Sequence, residues 1–396
     1  MSAPPPWLRP FSLACGPPDA RVLDAIVGAH GRGVAAAIVS SYGARLSNGA
    51  DGLLHALGGW PADASAYETA WDPAFGRAQE ALSSGRLDPI EVSVRLALRL
   101  TEMGSTAHWN SGVTATTFRL GSLVLADVDE ISVSEGGTCV RARTSGGRRL
   151  QCVRDATTGR WTSADAPALH TVGPSGAIAL LDAAALPSGA SEEPMFDDID
   201  PLASIPVSML QTIDAALDVL AASAPDYLAW VEGVLRGLVI CRQEEQFRLQ
   251  SGSREANPGM VHVSCPIGTY ELAEVLVHES AHQYFYLVER AGSLDDGSDT
   301  NLYWSPPMRC ERPLGRILVA YHALANVLLL YRLLGYDERA ESYVAANERP
   351  MTAVVAALDR PLRGNAALTA LGRGLYEPLA QRLETAGIGQ TRTAVA

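Results

Sequence analysis

Apolar residues recur at helical spacing in ARVLDAIVGAH, DPAFGRAQEALSSG and DPIEVSVRLALRLTEMG, all between residues 20 and 105. The last two open on Asp followed by Pro, the order of an N-cap and a first helical turn. From about residue 115 the period changes. TTFRLGSLVLADVDEISVSEGGTCVRARTSGGRRLQCVRDATTGRWTSA alternates short β-branched runs with Gly-Gly, Ser-Gly and Thr-Gly turns, which predicts an antiparallel meander. Helical spacing resumes in VSMLQTIDAALDVLAAS (207–223) and PDYLAWVEGVLRGLVIC (225–241), and GMVHVSCP (259–266) reads as a short strand. A helix then carries AEVLVHESAHQYFYLV (273–288). RPLGRILVAYHALANVLLLYRLLG predicts another, with Pro313 in its first turn and Gly335 as its stop, and further helices are expected over 337–347, 350–359 and 365–386.

This order predicts an α+β fold, mostly helical with an antiparallel β meander. Three regions are expected: an N-terminal helical region at 1–110, a β-rich region and linker at 111–204, and a helical, metal-binding catalytic region at 205–396. Residues 173–204 read as loop, with the acidic SEEPMFDDIDPLASIP as a linker or mobile cover.

Composition narrows the functional classes. With 47% hydrophobic and 19% charged residues the chain can bury a sizeable core. Its net charge of −13, from 31 Lys and Arg against 44 Asp and Glu, argues against a nucleic-acid partner, which needs a basic face. Six cysteines, Cys15, Cys139, Cys152, Cys241, Cys265 and Cys310, show no CxxC spacing, as expected of thiols in a reducing cytoplasm. The broken, proline-rich N-terminus does not read as a signal peptide, and no uncharged run approaches a span of about 20 residues, so neither export nor a membrane partner is expected. ILVAYHALANVLLLY (317–331) reads as a buried helix instead.

The chemistry sits in AEVLVHESAHQYFYLV, where His278, Glu279 and His282 form HExxH. Two histidines four apart on a helix share a face, roughly 5–6 Å apart, and can reach one metal ion. Glu279 points about 100° round the helix, where it can touch a metal-bound water or orient a ligand. This helix resembles the active-site helix of zincin-type enzymes, although Ser280 follows the Glu where metallopeptidases carry a bulky apolar residue. GMVHVSCP would be either a groove-lining edge strand, on which a peptide pairs by main-chain hydrogen bonds, or an interior strand, with His262 structural.

A third ligand is required. His322 on the Pro313 helix is the preferred candidate, with Asn326 one turn on as its partner; Asp295, Asp296, Asp299 and Glu311 are the alternatives. Such a donor set suits Zn²⁺ with an activated water, or Fe(II) with room for a chelating co-substrate and dioxygen. Arg309, Arg312 and Arg316, immediately before His322, favour the second, because a dicarboxylate such as 2-oxoglutarate needs a guanidinium partner.

The block SGSREANPGMVHVSCP, LAEVLVHESAHQ and LYWSPPMRCERPLGRILVAYHALANV resembles the HExxH-motif peptide-modification family of bacterial natural-product clusters, the 2-oxoglutarate-dependent peptide β-hydroxylases. Tyr303, Trp304, Pro306, Arg309, Arg312, Pro313, Leu314, Gly315, Tyr321 and His322 stand at corresponding places, and the likeness covers roughly 205–335. The resemblance implies an Fe(II) enzyme that uses 2-oxoglutarate and dioxygen to hydroxylate a β-carbon in a ribosomally made precursor peptide. It places His278, His282 and His322 on the metal, Glu279 beside them, Arg312 or Arg316 on the co-substrate and Tyr303 and Trp304 on the peptide. A zinc metallopeptidase with Glu279 as general base is the alternative, and a catalytically silent peptide-binding scaffold a third.

Overall fold

In the computed structural model the described residues are 3–49, 52–61, 67, 70–84, 88–186, 196, 199–243, 251–335 and 338–387. The N-terminal half opens with helices α1 (Arg9–Ser12), α2 (Ala20–Gly49), α3 (Leu53–Gly58), α4 (Pro73–Ser84) and α5 (Pro89–Glu102). Both expected Asp-Pro starts cap helices: Asp72 accepts from the Ala74 amide and Asp88 from the Ile90 amide, each at 2.9 Å.

The predicted meander follows as strands β1 (Trp109–Leu120), β2 (Leu123–Val133), β3 (Cys139–Thr144), β4 (Arg149–Arg154) and β5 (Trp161–Thr162), all antiparallel and paired in sequence order. Its tight turns hold Gly136, Gly147 and Gly159 at positive φ, a region that glycine enters without steric cost.

A second sheet was only partly foreseen. It is built from β6 (Thr171–Val172), β7 (Ile178–Leu181) and, beyond helices α6 (Val207–Ser223) and α7 (Pro225–Val234), strands β8 (Gly237–Arg242), β9 (Ser251–Ser253) and β10 (Met260–Cys265). The strand order is β6-β7-β8-β10-β9, with β7, β8 and β10 mutually parallel. Two expectations are corrected here. The helix predicted to reach residue 241 ends at Val234, and GLVICR becomes a strand buried along nearly its whole length. A continuous apolar run suits a central parallel strand as well as a helix, and its β-branched Val239 and Ile240 favour the strand. The stretch 173–204, read as loop, likewise contains β7, four residues buried inside the sheet; residues 191–195, 197 and 198 of the acidic segment after it lie outside the described residues. β10 is interior, flanked by β8 and β9, so the edge-strand alternative does not hold. Gly237 is needed where β8 meets β10, because a Cβ there would stand 2.6 Å from Met260 Sδ.

The C-terminal helices are α8 (Thr269–Ala291), α9 (Leu314–Leu334), α10 (Glu341–Leu362) and α11 (Ala370–Thr385), with the small hairpin β11 (Tyr303–Ser305) and β12 (Cys310–Arg312) before α9. α10 runs through Pro350, joining two helices expected separately, with Val344, Val355, Leu358 and Leu362 as its buried residues. Leu314–Leu334 and Ala20–Leu46 are long and apolar enough to cross a membrane by length and composition; 78% of the apolar window of the former is buried in the protein.

The chain divides into two compact units. One comprises residues 1–22, 207–235 and 267–396; the other comprises 23–206 and 236–266. The reason is pairing: β8 and β10 bond to β7 and go with its sheet, where Leu181, Val239 and Met260 share a core cluster with Val124 of β2. The first unit is all helix apart from its hairpin, and the fold class is α+β. All six cysteines are free thiols.

Candidate metal site

α8 starts where Glu271 Oε2 accepts from the Gly268 amide at 3.3 Å, a back-bond from the third helical residue to the cap. Every fourth residue of this helix then falls on one ridge: Tyr270, Glu274, His278, His282 and Tyr286. All five are half-buried, while Leu272, Val275, Leu276 and Val277 between them are buried in the core. Each of the five is thus the next one's neighbour along a row that winds slowly round the helix.

His278 and His282 meet on that line. Their Nε2 atoms lie 3.1 Å apart, with ring planes crossing at 84°. Without a metal, one Nε2–H donates to the other Nε2. With each nitrogen roughly 2.0–2.1 Å from an ion, the same separation subtends about 95–100° at the metal, which lies between octahedral and tetrahedral values. Burial holds His282 well below the ordinary histidine range, reinforced by repulsion from His278 and His322. The neutral form is the one that ligates a cation. Among the described residues His282 Nδ1 has no partner of the kind that commonly orients a metal-bound imidazole.

One turn before His278, Glu274 Oε2 accepts from the hydroxyls of both Tyr331 on α9 and Tyr343 on α10. Tyr270 stacks on Tyr343 at 6.0 Å. Burial, followed by the Glu274 carboxylate, pushes both phenols up from their ordinary range, so they remain donors. Sequence reading missed this clamp, although the fourfold spacing of Tyr270, Glu274 and His278 was a usable signal. Glu279, expected beside the metal, is only 2% exposed and lies off the half-exposed ridge. Ser280, at the position usually apolar in metallopeptidases, is wholly buried.

His322 is engaged elsewhere. It is fully buried, and its Nε2 lies 2.9 Å from the Phe11 carbonyl, so that nitrogen carries the proton and donates it. Nδ1 has no partner. Burial holds the ring down to about 4, against the raising effect of the Phe11, Ala281 and Ser12 backbone. Asn326, expected to support His322, bonds instead to the Ser12 carbonyl at 3.0 Å and the His322 carbonyl at 2.9 Å, and accepts from Tyr227 at 3.0 Å. These bonds tie α1 onto α9. Among the described residues no three His, Cys, Asp or Glu side chains gather at a metal-binding point. The histidine pair therefore fits a metal, and His322 as oriented does not complete its set.

The alternative acids serve their own loop. Asp295 accepts from Gly297, Asp296 from Ser298, and Asp299 from Tyr303 and Asn365, whose bonds hold its carboxyl down to about 2; Glu311 is exposed. Tyr303 and Trp304 lie on β11, Arg309 at the hairpin turn with φ +51°, Arg312 on β12 and Arg316 in the first turn of α9. None of the three arginine side chains makes a hydrogen bond or ion pair among the described residues. Leu302, Trp304 and Met308 are each more than half exposed, an unusual concentration of bare apolar surface.

The fold and this ridge define an α+β protein with a candidate two-histidine metal site. Comparison with protein-family models finds no match, and comparison with curated proteins finds none either.

Proposed function

We propose that the chain is an Fe(II)- and 2-oxoglutarate-dependent oxygenase that hydroxylates a β-carbon of a residue in a ribosomally made peptide. The observation that carries the metal reading is the convergence of His278 and His282 Nε2 at 3.1 Å on a half-exposed ridge. When bound, Fe(II) with its co-substrate would supply the oxidising chemistry that no side chain possesses. The chain's part is to hold and orient. His278 and His282 present converging Nε2 atoms, and Glu274, fixed by Tyr331 and Tyr343, lies one turn away on the same helix.

Unpartnered Arg309, Arg312 and Arg316 are available to a dicarboxylate, for which a guanidinium is the best-matched side chain. Trp304 offers an exposed indole to an apolar peptide residue, and the bond from Tyr303 to Asp299 braces the hairpin. His322 is left out of this ligand set because no three His, Cys, Asp or Glu side chains gather at one point among the described residues. The test is succinate formation from 2-oxoglutarate under oxygen by protein reconstituted anaerobically with Fe(II) or with Zn²⁺. Succinate with Fe(II) alone, lost in His278→Ala, supports the reading; tight zinc retention with peptide cleavage and no succinate would replace it with the peptidase.

A further inference from the structure

The sheet-bearing unit contains a cavity of about 890 Å³, lined among others by Arg99, Arg119, Arg160, Arg236 and Trp161. That volume suits a small organic molecule. Two carboxylates, Asp72 and Glu102, also face it. Asp72 caps α4 through Ala74 and lies 3.7 Å from Arg99; Glu102 pairs with Arg99 and accepts from the Gly121 amide. Arg99 thus answers both acids, and Arg236 lies over the Tyr67 ring at 5.0 Å.

Arg119 lies in the field of both acids but forms no ion pair with either among the described residues, and Arg160 is exposed. A guanidinium has five N–H donors, yet the one hydrogen bond of the Arg119 side chain among the described residues is to Met260 Sδ, at 3.8 Å, and its Nε is buried without an acceptor. Arg160 makes no side-chain hydrogen bond or ion pair there. Trp161, next in the chain and 7% exposed, has an indole N–H that is also buried without an acceptor among the described residues. Unanswered donors in one wall are costly unless an acceptor arrives. This wall sets donors on Arg119, Arg160 and Trp161 together, beside Asp72 and Glu102.

We propose that this cavity binds the oxyanion head, phosphate or carboxylate, of a small organic ligand, with Arg119 and Arg160 as its cationic donors and the Trp161 N–H as its neutral one. The proposal is independent of the metal reading. Isothermal titration of the full chain with inorganic phosphate, and separately with succinate, at matched ionic strength tests it. Saturable binding of phosphate assigns a phosphorylated ligand, and saturable binding of succinate a carboxylate. In either case Arg160→Gln and Trp161→Phe each weaken binding about tenfold, the scale of one lost charge-assisted or buried hydrogen bond. Arg160 is exposed, so its variant retains the fold. No saturation by either anion, or equal affinity in wild type and both variants, would overturn the proposal.

Discussion

His282 and His322 are both held neutral by burial, yet they offer their surroundings opposite things. The Nε2 of His282 is turned toward the same atom of His278, on a ridge that stays half-exposed. The Nε2 of His322 is spent on the Phe11 carbonyl in a core with no exposure. Two imidazoles in one helical unit thus divide into a donor kept available and a donor used as mortar. A histidine inside an apolar helix is informative only once the partner of each ring nitrogen is known.

The comparison breaks most sharply through metal binding. His278→Ala or His282→Ala removes half of the chelate and is expected to weaken Fe(II) or Zn²⁺ binding at least about 100-fold. His322→Ala should leave stoichiometry at wild-type level. Equilibrium dialysis with metal analysis separates the two classes. For stability the order reverses: His322→Ala opens a buried cavity and strips the Phe11 carbonyl of its donor, at a cost of roughly 3 kcal/mol in denaturant unfolding. An unchanged unfolding midpoint would remove the structural role assigned to it.

Acid sharpens the same contrast. The folded-state pKa of His322, about 4, lies below its unfolded value near 6.5. The unfolded chain therefore binds more protons between those values. Stability from this group is whole above pH 6.5 and falls as pH drops toward 4, by up to about 3 kcal/mol. Unfolding of wild type and His322→Asn across that window should show a shallower slope in the variant.

A smaller effect is expected at the clamp, where Tyr343→Phe removes one of two hydroxyls from Glu274 and costs about 1–2 kcal/mol. Trp304→Ala should cost the least, within about 0.5 kcal/mol, because the side chain is largely in solvent. If the hairpin receives peptide, KM rises in that variant while stability holds, and an unchanged KM would remove Trp304 from the substrate surface.

What could be read from sequence was local. Asp88-Pro89 announced its helix, Gly-Gly and Thr-Gly marked the meander turns, and HExxH placed two imidazoles on one face, because each signal spans no more than a few residues. Non-local pairing was opaque. GLVICR has the same apolar texture in a helix or a buried strand, and only its parallel pairing with β7 and β10 decides. His322 drew a functional reading because its acceptor, Phe11, is 311 residues away. The arginine cavity draws on residues 72, 99, 119, 161 and 236, and no sequence window contains them together.

The central claim is that His278 and His282 hold one metal ion. X-ray absorption at the iron edge of anaerobically Fe(II)-loaded protein tests it directly. The account predicts one iron per chain with two imidazoles in its coordination shell in wild type and in His322→Asn, and loss of the bound iron in His278→Ala. Iron bound without imidazole scattering, or held equally well by His278→Ala, would contradict it.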